Sequence, residues 1–182
     1  MKSVTVEELA VEFQSRATVR DRETMRRMWT RAAYDLPLET RQHVLIARSI
    51  VSAAHGYVCA INIEEWGVFP QYELTGMYEQ LRKSFGITES VRDKSCDIFD
   101  ESEADKALLF VGAAMLNDWD FWFLTPKDEV VIHSSTHDDI ISLETKDPQL
   151  RQSLIERWEQ VGCRRLSQRY LRELAPLLFA DD

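Results

Sequence analysis

Two imidazoles and two carboxylates fall close together at His133, His137, Asp138 and Asp139. Zinc and other divalent cations draw their ligands from these residue types. A four-residue spacing serves a metal best on a helix, where both rings share one face. Here His133 follows an apolar VVI run that reads as a strand entering a turn, so the spacing does not by itself bring the rings together. HExxH is absent, as is a Cys/His ligand set, and Asp138 and Asp139 equally suit the capping of a local turn. One reading of the chain is therefore a small metal-dependent or acid–base hydrolase centred on His133, His137, Asp138 and Asp139.

A second constellation is Asp118-Trp119-Asp120-Phe121-Trp122-Phe123. On a strand, Trp119, Phe121 and Phe123 face one way, and Asp118, Asp120 and Trp122 the other. Either this is a central strand covered on both faces, or Trp122 is a half-exposed anchor ringed by acids. The latter composition marks protein interfaces. On the interface reading, the partner-binding residues are Trp66, Asp118, Trp119, Asp120, Trp122, Asp138 and Asp139. Glu64 and Glu65, just before Trp66, evoke glycosidase-type acid–base pairs. Neighbours on a strand point to opposite faces, so either Glu would need Asp120 or Asp138 as its partner.

Other chemistries have weaker support. Cys59 lies in an apolar strand, where burial raises a thiol's pKa, and Cys96 and Cys163 lie in no nucleophile motif. The three cysteines are widely spaced and odd in number, as expected of reduced thiols in a cytoplasmic protein. GxGxxG and GxxxxGK[ST] are both missing, and no cofactor is expected. The Arg run from Arg16 to Arg31 is interrupted by Asp21 and Glu23 and reads as a solvated helix face.

Charge narrows the partners. The 182 residues carry 22 Lys+Arg and 31 Asp+Glu, a net −9. Residues 86–147 account for −10, and the rest of the chain for +1. Such a balance argues against direct nucleic-acid binding, which needs a basic footprint. No apolar run approaches the ~20 residues of a membrane span. The opening MKSVTVEELAVEF carries acids where an export signal needs an apolar stretch.

These residues have to be positioned by helices and strands that the pattern partly reveals. Thr5-Val6-Glu7-Glu8 is a capping box ahead of Val6, Leu9, Ala10 and Phe13. Asp21 suits the cap of a second helix with a Met25, Met28, Trp29 and Ala32 stripe, and Pro37 the start of a third that Gly56 ends. Strands are expected at 57–63, 96–99 (a short edge), 119–124, 129–133 and 140–143, with Thr125-Pro126-Lys127-Asp128 as a hairpin turn. Helices are expected at 72–84, from Ser102 onward, at 148–160 behind Asp147-Pro148, and at 164–178. The sum is one α+β domain. It is mostly helical, with a small antiparallel sheet of three or four strands from the central segment (57–147), packed between an N-terminal helical third (1–56) and C-terminal helices (148–178).

The function expected is that of a non-enzymatic cytoplasmic binding protein. Its acidic, Trp-containing surface would meet a basic protein, as a bacterial immunity protein or antitoxin masks a toxin or nuclease. A homo-oligomer built on the Met25, Met28 and Trp29 stripe is a further possibility.

Overall fold

The computed structural model describes residues 1–15, 28, 32–54, 56–65, 72–91, 95–167 and 170–171, without the side chains of 64, 65, 72–75 and 137. In chain order the elements are β1 (Lys2–Val4), α1 (Val6–Phe13), β2 (Ala33–Asp35), α2 (Thr40–Ala53) and β3 (Cys59–Glu65). Then come α3 (Tyr72–Ser84), β4 (Cys96–Phe99), α4 (Ala104–Leu116), β5 (Asp120–Leu124), β6 (Val130–Ser135), β7 (Ile140–Thr145), α5 (Pro148–Gln160) and β8 (Arg164–Arg165). Local chemistry starts several of them. Thr5 Oγ1 accepts from the Glu8 N–H, and the Glu8 carboxylate accepts from the Thr5 N–H. Asp147 caps α5 through the N–H groups of Gln149 and Leu150, with Pro148 in the first turn.

All eight strands join one antiparallel sheet in the order β1-β4-β3-β5-β6-β7-β2-β8. The α+β class holds, but the small sheet of three or four strands does not: the sheet is twice that size. All five expected strands join this one sheet, and β1, β2 and β8 add to it as stretches of two or three residues, too short to show a period-2 pattern. Each is a strand because a distant partner offers unpaired backbone groups, not because its own residues favour extension. Cys96–Phe99 is correspondingly not an edge; β1 covers it on one side and β3 on the other. Residues 164–165 are strand where a helix was expected. Of the expected second helix's stripe, Met28 and Ala32 are described: Met28 is helical, both are buried, and the Ala32 N–H donates to the Met28 carbonyl, so Met28 is not a free contact residue; Met25, Trp29 and the Arg16–Arg31 run lie outside the described residues.

The sheet is covered on both faces. On one, Ile61, Ile63, Phe121, Phe123, Ile132 and Leu143 pack under the helices. Tyr78 of α3 and Phe110 of α4 join Trp119 there, edge to face, with centroids 5.1 and 5.4 Å from Tyr78. Each such side chain contributes about 1.5–3 kcal/mol by leaving water. On the other face, Ala60, Ile98, Trp122, Leu124, Val131 and Ile140 pack with Leu9 and Phe13 of α1. The Ser15 hydroxyl, just past α1, donates to Asp128 in the β5–β6 turn and pins that helix to the hairpin. None of the described helices is long and apolar enough to cross a membrane.

Candidate functional site

Register explains how the second face acquires a polar row. Asn62, Trp122, His133 and Ser142 are direct partners across β3, β5, β6 and β7. The Trp122 and His133 rings meet at a 41° tilt with centroids 4.4 Å apart, and Ser95 Oγ donates to Asn62 Oδ1 at 3.1 Å. All four row residues are buried.

One step further along the strands, the sheet ends in an acidic rim. A bulge between Ile63 and Glu65 places Glu65 beside Asp120 in register, the Ser135 hydroxyl donates to the Asp120 carboxylate, and Ser135 pairs with Ile140, which pairs with Asp35 on its other side. Asp120 is buried, and its Oδ1 accepts from the Thr136 N–H at 2.8 Å. Thr136 Oγ1 in turn donates to the Trp119 carbonyl at 3.0 Å. Ser135 Oγ lies 3.3 Å from Asp120 and 2.8 Å from Asp138, so its one proton serves either carboxylate. These contacts lock the start of β5 to the turn between β6 and β7. Asp118 and Asp139 adopt left-handed φ of 54° and 56°, which short polar side chains tolerate. Asp118, Asp138 and Asp139 all face solvent. The Leu36 N–H donates to the Asp139 carbonyl, bringing Asp35 to the same rim. Burial pushes the Asp35 carboxyl up from its ordinary value; Arg164 opposes the shift and Asp139 adds to it.

Most other acids of the central segment are committed elsewhere. Asp97 is sealed on β4, where Arg82 Nε approaches its Oδ1 at 3.2 Å, the Tyr78 hydroxyl donates to Oδ2 at 2.8 Å, and the Ser3 hydroxyl donates as well. Asp100 and Asp147 cap turns, and Glu129 meets Lys146 at 3.2 Å. Burial opposes ionisation of Glu103, but hydrogen bonds from Lys106 at 2.5 Å, the amino terminus and the Asp100 N–H hold it down at about 2.

Of the residues singled out from the sequence, Trp119, Asp120 and Trp122 are 0, 5 and 1% exposed. They are scaffold beneath a surface, the covered central strand that the alternation allowed. Asp118, Asp138 and Asp139 come together on the rim. Trp66 lies outside the described residues. His133 is 2% exposed, within the sheet face, and the side chain of His137 is not among those described. Among the described residues no group of three or more His, Cys, Asp or Glu is placed to hold a metal. All three thiols are buried and pushed up to about 12 by desolvation, which leaves them protonated at neutral pH. Sequence reasoning missed Asp35, which sits in a segment with no strand signal, and the Arg82–Asp97 pair, whose partners are far apart in the chain.

What the rim offers is a fixed array of carboxylates at one sheet end, suited to attracting cationic groups. No family model, curated protein or solved structure matches this chain.

Proposed function

We propose that the chain is a non-enzymatic binding protein whose acidic rim, formed by Asp118, Asp138, Asp139 and Asp35, meets a basic protein partner. The observation that carries this reading is the convergence of these carboxylates on one sheet end, over a hydrogen-bonded base of Asp120, Ser135 and Thr136. A rigid array holds its charges in register without ordering long side chains on contact, which lowers the cost of association. Complementary charge accelerates encounter with a basic surface and excludes acidic competitors. A toxin whose basic site faces nucleic acid has the required chemistry, which gives the chain the role of a cytoplasmic immunity protein or antitoxin.

The test is a pull-down from native lysate at low and high salt, followed by titration of the purified partner. The reading expects a stoichiometric basic protein released by salt. It also expects Asp118→Asn/Asp138→Asn/Asp139→Asn, which removes the charges and keeps short side chains that tolerate the left-handed φ of 118 and 139, to bind that protein about tenfold or more weakly while the chain still unfolds in one cooperative transition. Equal binding of both forms, or no retained protein, overturns it.

A further inference from the structure

We propose that a cavity at the opposite end of the sheet, between the C-terminal end of α2 and the first turns of α4, binds a small zwitterion: an amine-bearing carboxylic acid with a short apolar side chain. The cavity measures about 270 Å³, just below the range of drug-sized pockets and right for a ligand of amino-acid size. Its lining divides into three parts. Arg48 of α2 supplies the cation, Glu101 and Asp105 at the start of α4 supply the anions, and Val51, Leu108 and the Tyr57 ring supply apolar wall.

The charges are arranged in an uncommon way. Arg48, Glu101 and Asp105 line the same hollow, yet none has an ion-pair partner among the described residues. Opposite charges that share a cavity but do not neutralise one another leave room for a molecule that bears both signs. Its carboxylate would take the guanidinium, in the bidentate geometry that Arg favours, and its ammonium would take the two carboxylates. Ala54, which follows α2, and Ala104, which opens α4, complete the wall between the two charged sides. Gly56, at φ +81° with open space where a Cβ would stand, turns the chain so that Tyr57 borders the hollow. Asp100 also borders it, but one of its oxygens is engaged by Ser102. Cys59, 4% exposed, closes the floor of the hollow.

Calorimetric titration of the full chain with L-leucine tests this, beside 3-methylbutylamine and 4-methylpentanoate, which are leucine without its carboxylate and without its amine. The expected result is a leucine Kd below about 1 mM, with each fragment about tenfold or more weaker. Arg48→Gln should reduce leucine binding to the level of the amine, and Glu101→Gln/Asp105→Asn to that of the acid. All three side chains are exposed, so the unliganded melting curves should superimpose on that of the unaltered chain. Comparable binding of the amine alone would show an acidic patch and overturn the proposal. So would the absence of leucine binding up to about 10 mM. The rim lies at the other end of the sheet, so either result leaves the partner reading standing or falling on its own test.

Discussion

On β4, Asp97 is sealed beside Arg82 and under α3, with hydroxyls of Tyr78 and Ser3 donating to it. At the rim, Asp120 is sealed on the opposite face, where its donors include a backbone N–H and a serine hydroxyl. Burial pushes the Asp97 carboxyl up, against the pull of Arg82, Ser3 and Tyr78. The first arrangement balances one buried charge with another, so each depends on the other's presence. The second fixes a carboxylate with the dipoles of a turn, and its neighbours remain on the surface. A partner surface can grow from the second arrangement; the first is spent on holding α3 to the sheet.

Substitutions can break or sharpen that contrast. The largest effect is expected from Arg82→Met, which leaves the Asp97 carboxylate buried without its cation and should cost about 3–5 kcal/mol in urea denaturation at pH 7. Loss of the guanidinium raises the folded-state pKa of Asp97 further. The penalty should therefore shrink as pH falls toward 3.8, the ordinary value, where the neutral carboxyl needs no cation. A penalty that grows on acidification would contradict this account. Asp120→Asn should cost less, about 1–2 kcal/mol, because the amide oxygen still accepts from the Thr136 N–H. Were it to cost as much as Arg82→Met, the two regions would not differ as described. Smallest is Asp35→Asn. A carboxyl whose folded pKa is raised contributes most below its unfolded value of 3.8 and loses that contribution as pH rises through the folded value. The Asn variant escapes the loss, so it should be slightly more stable than the unaltered chain at pH 7 and indistinguishable from it at pH 3. A destabilised variant at pH 7 would mean that Arg164 outweighs burial.

Signals that act within a few residues were legible in the sequence. The Thr5–Glu8 box, the Asp147–Pro148 start and the Thr125–Asp128 turn each depend on neighbours in the chain, and each is found where expected. Strands β1, β2 and β8 were not legible, because Lys2-Ser3-Val4 and Arg164-Arg165 become strands only through pairing that local propensity does not encode. The site divides the same way. Alternation placed Asp118 and Asp120 together on one face, but it could not tell that the Thr136 N–H draws Asp120 inward while Asp118 stays out. Net charge pointed to the central segment without showing how many of its carboxylates cap turns or meet a cation, as Asp100, Asp147, Asp97 and Glu103 do.

The strand order also sets a timetable for synthesis. Ser3 leaves the ribosome early, but its partner Asp97 follows 94 residues later, so β1 waits unpaired through the emergence of β2 and β3. Strand β2 waits longer still, first for β7 and then for Arg164–Arg165 on its other side. Because β5, β6 and β7 are joined by short turns, they can pair with one another as they emerge while the flanks remain open. The nascent chain therefore exposes unfilled sheet edges until β8 emerges, and in the finished sheet the outermost strands, β1 and β8, are only three and two residues long, which makes them poor templates for a neighbouring chain.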